Sequence, residues 1–131
     1  MSDYFEMIKE YTLELNCEHS FTNEEEGVLV IAKENAGIKN LVLAMADPIL
    51  IIEQFLFEIK AESVNLFRDL LKKNRDIVHG AFALDETGKK VIFRDTLQLE
   101  NLDLNELEGS INSLSLLLSE YSDELIQFSK N

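Results

Sequence analysis

A chain of 131 residues with 46% hydrophobic and 28% charged side chains, five glycines and one proline has room for one core and not two, so residues 1–131 read as a single domain without low-complexity stretches. Its formal charge of −13, from 12 basic and 25 acidic residues, repels phosphate backbones and anionic lipid. That speaks against nucleic-acid and membrane-surface roles and for a basic or amphipathic protein partner.

Cys17 is the one cysteine, which leaves no internal disulfide, and the opening MSDYFEMIKEY lacks the basic start and apolar core of a signal peptide. Leu41 to Ile59 has the length of a membrane span but carries Asp47, Pro48, Glu53, Gln54 and Glu58, which lipid would not tolerate. A cytoplasmic protein is expected.

Residues 3–16 read as an amphipathic helix, with Asp3 and Glu6 at capping-box spacing and Tyr4, Ile8, Tyr11 and Leu15 on one stripe. The following NCEHSFTNEEEG has no helical period and reads as loop or short edge strand ending in a turn at Asn23 to Gly27. Three runs rich in β-branched and aromatic residues come next: Val28 to Glu34, Ile38 to Ala46 and Ile49 to Ile59. They are separated by NAG and DP turn signals, the pattern of an antiparallel meander.

The third run, within DPILIIEQFLFEIK, holds eight large apolar side chains in fourteen residues. Asp47 as cap and Pro48 at the first position would also start a helix, but that helix would be apolar all round and rich in β-branched residues, which favours a strand. Greasy on both sides, the strand needs two covers. Ile49, Ile51, Phe55 and Phe57 are expected toward the helices. Leu50, Ile52 and Leu56 are left for another subunit or a bound segment.

Ser63 to Asn74 predicts a second helix, capped by Ser63, with Leu66, Phe67, Leu70 and Leu71 on one face and Lys72 and Lys73 near its C-terminus. Two alternating runs around DETGK then form a hairpin, with Val78, Gly80, Phe82 and Leu84 sharing a face and His79 beside Ala81 and Ala83. The last helix starts at Asp103 and Glu106 with capping-box spacing. It repeats Leu104, Leu107, Ile111, Leu114, Leu118, Tyr121, Leu125 and Phe128 at steps of three and four, a seam expected to lie on the domain's own sheet rather than across a coiled coil. The fold class is α+β, an antiparallel sheet with helices packed on it, in the order α-β-β-β-α-β-β-α.

Catalytic chemistry is thin. Cys17 and His19 are neighbours with no third metal ligand, and Glu24 to Glu26 lack the spaced oxygens of a calcium loop. The glycines form no phosphate cradle. Glu53 and Glu58, five apart, fall on opposite faces of a strand, so neither is expected to join an acid–base dyad, and Arg68 or Arg94 could neutralise them. No enzyme activity, metal or cofactor is expected.

With that order in place, NLFRDLLKKNRDIVHGAFALDETGKKVIFRDTLQLENLDLNELEGSINSLS resembles the class I type III secretion chaperones, also called Tir-chaperone-like, and the related YbjN-like proteins. The features that carry it are the helix ending LLKKN, the strands HGAFALDETG and KVIFRDTLQL, and the helix start LDLNELEGSINSL. The resemblance implies a secretion-chaperone-like fold and a cytoplasmic homodimer that holds an extended client segment on hydrophobic patches, without catalysis. It places those patches on the sheet and first helix, here Tyr4, Ile8 and Tyr11 with the third strand's Leu50, Ile52 and Leu56. The alternative it allows is a YbjN-like regulatory or interaction domain with no secretion client.

Overall fold

Turn signals and period changes along the chain become helix and strand boundaries close to those expected. A computed structural model describes residues 2–130, in the order α1 (Ser2–Glu14), β1 (Glu18–Asn23), β2 (Val28–Lys33), β3 (Ile38–Ala46), β4 (Ile49–Glu58), α2 (Val64–Asn74), β5 (Ala81–Leu84), β6 (Lys90–Gln98) and α3 (Leu104–Lys130), with a short 3-10 turn at Glu34–Ala36. This is the expected order with β1 added in the segment left open between loop and edge strand. The run from Ile49 is a strand.

Local chemistry sets the ends of the helices. The α3 start is a capping box: Asp103 Oδ1 accepts from the Glu106 N–H at 2.8 Å, and Glu106 Oε1 accepts from the Asp103 N–H at 3.3 Å. Ser63 caps α2 by accepting from the Leu66 N–H. In α1 the helix already includes Ser2, so Asp3 sits in the first turn, where its charge meets the positive end of the helix dipole, rather than as the cap. The other end of α1 closes on Asn16 at φ 63, with the Cys17 N–H bonding Thr12 O and the Asn16 N–H bonding Leu13 O, a Schellman arrangement.

The strands form one antiparallel sheet in the order β1-β2-β3-β4-β6-β5. Chain-adjacent strands pair directly until β4, where α2 carries the chain over β6 to the far edge. All three helices lie on the same side. On α1, Phe5 and Ile8 enter the core; on α2, Leu66 and Leu70; on α3, Leu107, Ile111, Leu114 and Leu117. The regular stripe of α3 therefore seats on its own sheet, as expected, with Phe128 against Phe57 and Tyr121 against Phe82. The sheet contributes Leu29, Ile31, Leu41, Leu43, Leu50, Ile52, Val91 and Phe93 from the facing side.

Candidate functional site

From Ile49 to Phe55 the two faces of β4 are the reverse of the expectation, while Phe57 faces the helices as expected. Leu50 and Ile52 are completely enclosed by the chain's own helices, and Phe57 joins them, whereas Ile49, Ile51, Glu53 and Phe55 point to the opposite side. A strand apolar on both sides offers no alternation from which to choose, and a one-residue change of register inverts every side chain. One signal was available. Glu53 is charged and Gln54 is neutral, and burying a charge costs more than burying an amide, so the face that carries Glu53 belongs outside.

A bulge between Phe55 and Phe57 completes the correction. Phe55 pairs with Ile92 and Phe57 with Val91, which leaves Leu56 as the extra, half-buried residue. Beyond the bulge the alternation shifts, so Glu58 lies on the same side as Glu53, not opposite it. They remain about 13 Å apart along the strand at ordinary rise, too far for a dyad. Glu53 instead forms an ion pair with its cross-strand neighbour Arg94, one of the two partners expected from sequence.

The helix-free face has a definite composition. Across the strands it presents Phe21, Val30, Val42, Ile51 and Phe55, with the Glu53–Arg94 pair in the middle. No helix covers it among the described residues. Phe21 and Phe55 are 52% and 54% exposed, and Lys90 holds its ammonium 5.8 Å from the Phe55 ring. Fully covering a large apolar side chain is worth about 1.5–3 kcal/mol, so an occupant of this face gains most at these two rings. Phe21 escaped the sequence reading because its strand is short and polar. Its pairing with Val30 across from Val42 brings it onto the surface.

The sheet edges differ. On β5, Asn74 at the end of α2 closes the outer edge: its Oδ1 accepts from the Phe82 N–H at 2.8 Å and its Nδ2 donates to Phe82 O at 3.1 Å. Among the described residues, β1 has no strand on its outer side. An extended segment that adds to the sheet therefore finds its backbone partners at β1, next to Phe21.

A second apolar surface runs along α2. Val64 and Leu71 are 70% and 69% exposed, with Phe67 between them and Leu84 of β5 beside the helix, and Arg68, Lys72 and Arg75 flank the stripe. Of the residues singled out on α1, Ile8 is wholly buried, while Tyr4 and Tyr11 are half-buried and the Tyr11 hydroxyl donates to Leu102 O at 3.4 Å. Ile8, Leu50 and Ile52 thus belong to the interior. Tyr4, Tyr11 and Leu56 keep partial exposure.

The remaining titratable groups are held apart. Cys17 is buried, which pushes its thiol pKa up despite Lys33, and its Sγ faces Leu15 O. His19 Nε2 meets Thr12 Oγ1 at 2.7 Å, and that hydroxyl gives its single proton to Lys9 O, so the ring nitrogen is the donor. His79 precedes β5 instead of lying in it: Ser113 Oγ donates to its carbonyl at 2.6 Å and the ring rests against Gly109 of α3. No group of three His, Cys, Asp or Glu residues is placed to hold a metal ion among the described residues.

A family model, CesT_Tir_1, matches residues 1–131. The chain belongs to the CesT_Tir_1 family. No curated protein matches it closely enough to count. Among solved structures, the chain is similar to the ExsC–ExsE complex at 19% identity and TM-score 0.68, covering 95% of this chain and 94% of that one. It is similar to YbjN from E. coli at 11% identity and TM-score 0.66, covering 92% of each chain. The Yersinia pestis type III secretion chaperone SycH, in complex with a fragment of YscM2, matches at 22% identity and TM-score 0.58 over 96% of this chain and 99% of that one. The CesT_Tir_1 chain thus has the secretion-chaperone fold, shared with YbjN. No helix among its described residues is long and apolar enough to cross a membrane.

Proposed function

We propose that this CesT_Tir_1 protein is a non-catalytic, cytoplasmic, dimeric module that holds an extended segment of a client protein on the uncovered face of its sheet. The carrying observation is that face itself, with Phe21 and Phe55 half-exposed on a surface that no helix among the described residues covers. Main-chain pairing at the free β1 edge and side-chain burial on Phe21, Ile51 and Phe55 would act together, as in other strand-addition complexes. The exposed α2 stripe supplies the dimer contact and leaves the sheet to the client. Solved complexes such as SycH with a YscM2 fragment support a protein partner for this fold.

The second reading is a YbjN-like interaction or regulatory domain with no secretion client, favoured by the near-equal likeness to YbjN. In that case the sheet face is spent within the protein's own assembly. Binding of a hydrophobic dye to the purified dimer separates the two. The client reading expects strong dye binding that Ile51→Thr with Phe55→Thr abolishes, together with loss of copurifying protein. Absence of dye binding by the intact dimer favours the second.

A further inference from the structure

The segment between α2 and β5 is pinned to the middle of α3. Ser113 Oγ donates to His79 O at 2.6 Å and accepts weakly from the His79 N–H at 3.4 Å. The His79 ring lies so close to Gly109 that a Cβ there would come within 3.1 Å of its Nε2, although glycine inside a helix costs about 1 kcal/mol relative to alanine. Gly80, at φ 80, is more tightly constrained, since a Cβ would fall 2.5 Å from the Phe93 ring.

What this packing builds is a groove of about 260 Å³ between residues 76–79 and α3. Val78 and Leu116, 82% and 62% exposed, form its apolar walls, and Tyr121 closes one end. The charged residues lining it are Asp76 and Glu120, with no lysine or arginine. Lys73 does approach the Tyr121 ring, 5.3 Å from its centroid, but is bound to Glu124 at 2.5 Å. Burial raises the pKa of the Tyr121 hydroxyl, and Glu120 and Asp76 push the same way.

We propose that this groove docks an arginine side chain, flanked by apolar residues, from a partner protein. An arginine stem matches the walls of Val78 and Leu116, its flat guanidinium is weakly hydrated and can take a carboxylate through two parallel hydrogen bonds, and the flanking apolar residues cover the rest. The site belongs to the helix layer and shares no residue with the uncovered sheet face. It stands whether or not that face holds a client.

The test is a titration of the ¹⁵N-labelled full chain with acetyl-Leu-Arg-Val-amide, followed through backbone amide shifts. Shifts concentrated at Val78, Gly109 and Leu116, with Phe21 and Phe55 unmoved, are expected. Replacing arginine by uncharged citrulline should weaken binding at least about tenfold, as should Asp76→Asn with Glu120→Gln, since both carry the charge-assisted part of the contact. Equal binding of the citrulline peptide overturns the proposal, and so does a peptide that shifts only the sheet face or nothing at all. Concentration-dependent self-association that perturbs the same amides without peptide would assign the groove to a second copy and overturn it too.

Discussion

His19 illustrates how a residue with catalytic potential is given a structural task. The proton of the Thr12 hydroxyl is used on Lys9 O, so the neutral ring satisfies the contact by donating from Nε2. Burial, and secondarily the charge of Lys9, lowers the His19 pKa from its ordinary 6.5. The unfolded chain therefore takes up the proton more readily than the folded one, and the contribution to stability is present above the ordinary histidine range and lost as pH falls through it. Urea midpoints at about pH 7.5 and 5.5 should show a drop that is smaller in His19→Gln. An identical drop in the variant would mean that other groups carry it. Gly80 makes the complementary point: it belongs to no recognisable turn motif, and its positive φ and the Phe93 ring, distant in sequence, together leave no room for a side chain.

Strand β4 shows how an element can be identified correctly and oriented wrongly. Its β-branched content and the preceding DP turn mark a strand in the right place, but its two apolar faces leave only the contrast between Glu53 and Gln54 to mark the inside. Substitutions separate the faces. Leu50→Ala removes buried methyl groups from the core and should cost about 2–5 kcal/mol. Phe55→Thr, on the open face with a residue that suits strands, should change stability by less than about 1 kcal/mol. Chemical denaturation measures both, and comparable losses at the two positions would contradict the orientation. The bulge after Phe55 had no sequence signal, since it arises from pairing with β6 and not from a glycine or proline. Helix α3 is the opposite case: its stripe at steps of three and four can satisfy only one surface, and the sheet is there to meet it.

Taken as one object, the molecule is a sheet with helices on one side and an apolar patch around the Glu53–Arg94 pair on the other, and it is strongly acidic. A chain of charge −13 repels its own copies, and in a two-fold contact through α2 the rims of Arg68, Lys72 and Arg75 also approach each other. The proposed dimer must therefore be held by Val64, Phe67, Leu71 and Leu84 against electrostatic opposition. Light scattering after gel filtration at micromolar concentration should give a dimer that tightens as salt is raised, because screening relieves both repulsions. Leu71→Glu should yield a folded monomer. A wild-type monomer would remove the dimer from the proposed function, and a dimer that weakens with salt would point to an ion-paired interface elsewhere.

Composition, periodicity and capping are local properties, and they were sufficient for the α+β class, the order of the elements apart from β1, and the caps of α2 and α3. The secretion-chaperone resemblance was legible for the same reason, because it resides in the run of elements from α2 to α3. Which face of β4 is interior, where its bulge falls, how Phe21 comes to stand beside Val30, and how residues 76–79 make a groove with α3 all depend on pairings between distant segments. Local sequence leaves those pairings nearly degenerate. Only when the helices settle on one side of the sheet does the difference between burying Gln54 and burying Glu53 decide which side remains open to a partner.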